Sequence, residues 1–498
     1  MRIVNFLKRA WHTLFAKHPA PASEPGTSDH SGKPTLSYIL REFHDCSDLV
    51  HRTYPQVKAD LLYFDHLVDR DKLFRDVMNP LLSVQADEMS ELLSEAQFSA
   101  TAASKELVLG ILSGKAAVFY KQVAYLVDVF GFQSRPVSQS ETETVITGPH
   151  DAFTEQAGVN LAMIRQRVKS PHLKVVKLSV GEITKTDVYI LYIKDIANMQ
   201  YVDEAIARIR NVEVDSIFDT NMLLQMIDDS PYSVFPQFLT SERPDAIGSK
   251  LVSGRVVGIV DGSPSGFSAP TSFFEYFSSS DDYYQRWLLG SASRLLRFLA
   301  LLITIGFTAL YVSVTTFHYE MIPENLLLTL TESRSRVPFP PLYEALFLET
   351  TIELLREAGA RLPTKIGQTI GIVGGIVIGQ AAVQAGLTSN ILIIAVAASA
   401  IASFVTPAYV MSASIRFLRF GLIVLAGIWG NFGLALGITA IVIHMSGLTS
   451  LGSSYLTPVA PFRLKDWKDT FIVAPFKFLT DRPTQIKSPN RVKHRMKK

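Results

Sequence analysis

From residue 36 onward, apolar residues recur first at helical and then at strand intervals, and only after residue 297 do they merge into tracts long enough to cross a membrane. "LSYILREFHDCSDLVHRTY" and "LLYFDHLVDRDKLFRDVMNPLL" carry apolar residues at helical spacing with charges between them, so helices are expected first. "KAAVFY" and "VAYLVDV", separated by Lys121 and Gln122, have the length and the β-branched and aromatic content of a hairpin. "LKVVKLSV" and "DVYILYI" repeat that signal with Gly181 in the intervening turn, and "YVDEAIARIRN" supplies a helix after them. Two stretches resemble each other: "ELVLGILSGKAAVFY" and "DAIGSKLVSGRVVGIVD" both run a helix into Ser-Gly, a basic residue and an apolar strand. Gly114 and Gly254 suit the left-handed position that ends a helix. The pattern predicts two α/β subdomains of similar build, with a boundary between residues 131 and 150.

Apolar tracts then take over. "FLALLITIGFTALYVSVTTF", from Phe298, is about twenty residues, enough for a hydrocarbon core of roughly 30 Å. Further spans are expected in "IGQTIGIVGGIVIGQAAVQAGL", in "SNILIIAVAASAIASFVTPAYVM", and in the tract from Phe417 to Leu448. The last exceeds one simple crossing, and Gly430, Asn431 and Gly433 near its middle leave it open between one tilted helix and two half-spans. Arg286, Arg294 and Arg297 precede the first span and the tail ends "RVKHRMKK", so both the α/β region and the tail are expected in the cytosol. Arg416 and Arg419 are awkward for this count, which places them on the outer side of the membrane, against the preference of basic residues for the cytosolic side.

The N-terminus opens "MRIVNFLKRAWHTLFAKHPAPASEPG". Lys8 and Arg9 interrupt the apolar run before a signal-peptide core can form, so no cleavage is expected. The spacing of Ile3, Leu7, Trp11 and Leu14 with interleaved basic residues is that of a short amphipathic helix, read either as a lipid-surface element or as a frayed tail. A Pro-, Ser- and Gly-rich linker follows. The resulting division is residues 1–35 tail and linker, 36–140 and 141–287 the α/β subdomains, 288–448 an α-helical polytopic membrane domain, and 449–498 a basic tail.

Composition supports this division: 48% of 498 residues are hydrophobic, high for a soluble chain of this length. The net charge of +2 offers no bulk field for nucleic acid, which is excluded as the main partner. Cys46, the single cysteine, cannot form an intrachain disulfide. "GRVVGIVDGSPSG" lacks the Gly-Lys-Ser/Thr ending of a phosphate loop, and Asp261–Pro264 reads as a turn after a strand. No metal-ligand spacing, cofactor fingerprint or nucleophile elbow appears, so no catalytic residue, metal or cofactor is expected.

Two features of the membrane domain invite a functional reading. Gly371, Gly374, Gly375 and Gly379 repeat at helical spacing in "GIVGGIVIG", and small residues on one face let helices approach closely in lipid. In the helix expected over residues 342–358, Glu349, Glu353 and Glu357 lie four apart on one face, with Glu344 further round. Carboxylates facing lipid would cost several kcal/mol, so the stripe must face water, a cation or basic partners. It is either the wet side of an interfacial or re-entrant helix, or the wall of a cation pore in which several copies bring their stripes together.

The segments "SIFDTNMLLQMIDDSPYSVFPQFLTSERPD", "LVSGRVVGIVDGSP", "VPFPPLYEALFLETTIELLREAGARLPTKIGQTIGIVGGIVIGQAAVQAGL" and "SFVTPAYVM" closely resemble the A subunits of GerA-type spore germinant receptors, over residues 36 to 480. The resemblance implies a large cytosolic N-terminal region of two α/β subdomains, a multi-pass position in the spore inner membrane, and no enzymatic activity. The implied partners are a transporter-like B subunit, thought to hold the nutrient, a lipoprotein C subunit, other copies of the chain, and membrane lipid. The implied function is a nutrient-triggered receptor subunit whose copies form an oligomeric cation channel. A secondary transporter and a non-conducting scaffold remain open beside it.

Overall fold

The computed structural model describes residues 34–131, 140, 143, 145–363, 375 and 377–493. The N-terminal basic segment, Gly371 and Gly374 lie outside the described residues.

Helix α1 (Leu36–Glu42) leads into strands β1 (Leu49–Tyr54) and β2 (Ala59–Phe64). Short helical turns span Arg70–Leu73, Phe74–Met78, Asn79–Ser83 and Met89–Leu92. Then come β3 (Ser99–Thr101), α2 (Ser104–Leu112), β4 (Lys115–Tyr120) and β5 (Val123–Asp128). The helices expected over residues 36–54 and 61–82 are therefore partly strands. The reason is that β2 is covered on both faces: Leu61 and Tyr63 pack on the helical turns, while Leu62 and Phe64 pack on α1 and α2. A strand buried on both sides shows no alternation and passes for a helical stretch.

The second unit repeats the plan. It runs α3 (Ala157–Arg167), β6 (Leu173–Val180), β7 (Thr186–Ile193), α4 (Met199–Arg210), α5 (Thr220–Ile227), β8 (Leu239–Ser241), α6 (Pro244–Ser253), β9 (Val256–Val260) and β10 (Gly266–Ala269). The sheet orders are β1-β2-β4-β5-β3 and β6-β7-β9-β10-β8, one topology twice. The two similar stretches occupy equivalent places, each a helix leading into the fourth strand of its sheet, and Gly114 and Gly254 take φ of 87° and 102°. Lys121 and Gln122 both have positive φ in the tight turn that aligns β4 with β5. Asp261 sits in the turn after β9, and its carboxylate accepts the Ala157 amide of α3 at 2.9 Å, so this Gly-rich stretch is a structural corner. Between the units, Ser47 donates its amide to the Val175 carbonyl at 2.9 Å, and Arg165 donates to Asp48 at 2.7 Å inside the joint.

Among the described residues, two helices are long and apolar enough to cross a membrane, α7 (Trp287–Phe317) and the later Tyr409–Gly447. Between them lie α8 (Glu324–Arg334), α9 (Pro341–Arg361) and α10 (Asn390–Ser403); the Tyr409–Gly447 helix is α11. The span expected from Ser389 to Met411 is broken: α10 ends at Ser403, and α11 begins after Pro407. Helix α11 is itself bent at Gly430 (φ 60°, ψ −141°), a conformation essentially restricted to glycine. Its arms fold back on each other. A Cβ at Gly433 would lie 2.1 Å from the Leu425 carbonyl oxygen, so the contact requires glycine there, and one at Gly437 would meet the end of the Leu422 side chain at 2.4 Å. At the bend, Ser313 donates to Asn431 at 2.7 Å.

The α/β region is fastened to the helices by one apolar cluster, in which Phe235, Phe273, Tyr276 and Phe277 meet Met411, Ile415, Leu448 and Tyr455. Asp282 binds both Arg294 (3.2 Å) and Arg297 (2.7 Å), and Asp469 stands 3.8 Å from Arg294, so two of the three arginines before the first span are paired within the fold. The tail returns to the same region: Thr449 donates to Asp229, the Arg482 guanidinium to the Val252 carbonyl at 3.3 Å, and Tyr201 to the Gln485 carbonyl at 3.3 Å.

Candidate functional site

Proline at the N-terminal turn starts α9, and its 21 residues reach about 32 Å at 1.5 Å per residue. Packed against α7, α10 and α11, this helix places its four glutamates in four different settings. Glu344, near the start, is buried; its carboxylate accepts the Ser389 amide at 3.0 Å and pairs with Arg334 at 3.2 Å. It caps the N-terminus of α10 from a neighbouring helix, where a negative charge suits the helix dipole.

Glu349 is wholly buried. It accepts from Thr308 of α7 at 2.8 Å and pairs with Arg419 of α11 at 2.7 Å. The same guanidinium donates to Ser399 of α10 at 2.9 Å and to Glu353 at 3.2 Å, so four helices meet at one buried arginine. One turn on, Glu353 also binds Arg356 at 3.1 Å and Arg416 at 3.4 Å. Arg356 donates onward to Ser403 at 2.9 Å and lies over the Phe404 ring. Glu357, 60% exposed, pairs with Arg361 at 2.6 Å. The stripe thus grades from a buried ion pair to an exposed one, and it faces basic partners. Around Glu349 and Glu353 stand three guanidiniums against two carboxylates, leaving one positive charge in excess.

Arg416 and Arg419, which the span count put on the outer side of the membrane, are paired within the packed helices, as partners of Glu353 and Glu349. A signal for this was present in the sequence: three residues apart in an otherwise apolar tract, they share a helix face, as do two glutamates four apart, and charges among apolar helices must pair. The contributions of Thr308, Ser399 and Arg356 carried no such signal. Glu353, Arg356, Glu357 and Arg416 line one wall of a cleft of about 2530 Å³, whose opposite wall is formed by the second α/β unit and the tail. Gly375 and Gly379 are placed where an added Cβ would meet nothing within 4 Å. Among the described residues, no group of three or more His, Cys, Asp or Glu side chains could hold a metal ion.

A twofold α/β plan bolted to a bundle that includes two apolar helices of membrane-crossing length is an arrangement suited to membrane association. Residues 37–485 match the family described as Bacillus/Clostridium GerA spore germination protein, and the chain belongs to that family. It is 42% identical to the spore germination protein GerQA of Bacillus cereus over 86% of this chain and 87% of the relative. It is 39% identical to spore germination protein A1 of Bacillus subtilis over 92% of this chain and 96% of the relative. A crystal structure of the N-terminal domain of the A subunit of the Bacillus megaterium spore germinant receptor GerK3 is 28% identical, with a TM-score of 0.38, over 48% of this chain and 96% of that one.

Proposed function

We propose that the chain is the membrane A subunit of a nutrient germinant receptor in the spore inner membrane, working with a transporter-like B subunit that holds the nutrient and with a lipoprotein C subunit. Copies of it assemble into a nutrient-gated cation channel. The observation that carries this reading is the Glu349–Arg419 pair: a buried ion pair within apolar helices is costly and marks a functional position. It stands directly above Glu353 and Glu357, which open onto the cleft.

In this state the carboxylates are occupied by arginines, and we read it as the closed state. Separation of α11 from α9 would uncover Glu349 and Glu353 as cation-attracting groups, while Glu357 faces the cleft throughout. Gly375 and Gly379 belong to a surface for another copy or another subunit, supported by the open space around both. Docking of the tail on the α/β region supports an even number of crossings with both on the same side, and the basic residues before the first span and in the tail support the cytosolic side.

Ion flux through the purified chain in liposomes, alone and with its partner subunits, tests the channel. Glu353→Gln and Glu357→Gln should weaken cation selectivity, and Arg416→Gln should raise flux without nutrient. Absent flux in every combination would leave the scaffold reading, which the excess of arginine favours. Saturable, solute-coupled flux would identify a transporter.

A further inference from the structure

The tail carries an exposed surface in which Phe462, Arg463 and Leu464 lie outside the cleft, while Lys465, Phe476 and Lys477 also border it. Residues 459–465, "VAPFRLK", are continuously exposed, ending at the start of α12 (Leu464–Thr470). Phe462 is 64% exposed, and Phe476, further along, 57%. Basic side chains interleave with these apolar ones. Arg463, Lys465 and Lys477 are exposed, and among the described residues none of them has a carboxylate within ion-pair distance.

Two sets of contacts fix the depth of this surface. The Val473 amide donates to Ser291 at 3.0 Å, and Arg294 donates to the Asp469 carbonyl, so the tail is tied to the first turns of α7. From Phe298, the first residue of the apolar run, an aromatic ladder leads outward: Phe298 to Phe471 at 5.2 Å, Phe471 to Trp467 at 5.0 Å, Trp467 to Phe462 at 5.3 Å. Helix α7, at 31 residues, is about 46 Å long, which exceeds a hydrocarbon core of roughly 30 Å. Its first turns therefore stand in the headgroup layer, and the ladder lies at that level. Aromatic rings beside lysine and arginine at the edge of a bilayer are the usual composition of an interfacial anchor, and each basic group near an anionic surface adds attraction.

We propose that residues 459–477 form a docking surface for anionic lipid headgroups, with Phe462, Leu464 and Phe476 entering the interface and Arg463, Lys465 and Lys477 binding lipid phosphates. Because the same tail holds the second α/β unit through Arg482 and Gln485, the lipid surface fixes that unit against the membrane. This inference rests on α7 crossing the bilayer, and the experiment separates the two.

The full chain, with Cys46→Ser, is labelled with a fluorophore at Phe476→Cys and reconstituted with brominated lipid in phosphatidylcholine, with or without phosphatidylglycerol. Labels at Leu302→Cys, on the exposed face of α7, and at Tyr232→Cys, fully exposed on the α/β region, are the controls. Quenching at 476 that appears on adding phosphatidylglycerol and is lost in Lys465→Glu/Lys477→Glu is the expected result, with 302 quenched throughout and 232 never. Quenching at 302 without any at 476 overturns the docking surface and leaves that face to a protein partner. Equal quenching at 476 in both lipids overturns the recognition of negative charge. Absence of quenching at 302 overturns the membrane crossing itself.

Discussion

Replacing Arg419 by Gln should be the most destructive single change in the helical bundle. It leaves Glu349, wholly buried, with Thr308 as a polar partner and with the Glu353 carboxylate one turn away. At 2.7 Å and an effective dielectric of about 20, the lost attraction is about 6 kcal/mol before desolvation is set against it. Stranding one member of a buried pair costs about 3–5 kcal/mol. Glu349→Gln is expected to cost less, because Arg419 keeps Glu353 at 3.2 Å and Ser399 at 2.9 Å. The double variant, with both charges removed, should recover more than half of the Arg419→Gln loss. Glu357→Gln, in an exposed pair, should change stability by no more than about 0.5 kcal/mol. Unfolding of the purified full chain in detergent, followed by circular dichroism in a double-mutant cycle, measures all four. Strictly additive effects at 349 and 419, or an Arg419→Gln loss no larger than that at 357, would refute the buried pair.

Gly430→Ala should destabilise the chain by about 1–3 kcal/mol, since alanine strains at φ 60° and its Cβ would sit 2.9 Å from the His318 ring; an unchanged unfolding midpoint would contradict the bend. Burial, reinforced by the charge on Asp229 and opposed by Arg208, pushes the Asp228 carboxyl up to about 7. The folded state therefore holds a proton that the unfolded state has released, and stability should fall as pH rises from about 4 to about 7 and then level off. Asp228→Asn should remove this slope and gain most above pH 7, and a parallel pH–stability curve would show the assignment to be wrong. Gly375→Leu meets open space in the chain itself, so it should leave the isolated chain's stability within about 0.5 kcal/mol while weakening any complex in which that face is covered; co-purification with partner subunits reads the difference.

Local signals were enough for the elements whose cause is local. The β4–β5 hairpin follows from Lys121 and Gln122 between two β-rich runs, the helix ends from Gly114 and Gly254, and the corner at Asp261–Pro264 from its turn residues, because each depends on backbone preference within a few positions. The two-unit build of the α/β region was legible from one recurring helix–Gly–strand phrase. Strand β2 was not, because burial on both faces erases the period of two on which a strand reading depends. The break between Ser403 and Tyr409 was hidden by continuous hydropathy, which counts apolar residues and is blind to direction, whereas the length of the last tract and the glycines near its middle already offered two half-spans as one of two readings. The acidic stripe could be placed on one helix face from spacing alone, and the need for a partner followed from the expense of a bare charge. Which partners it received depended on α11 bringing Arg419 to within 2.7 Å of Glu349 across seventy residues of chain, a juxtaposition that only tertiary packing decides.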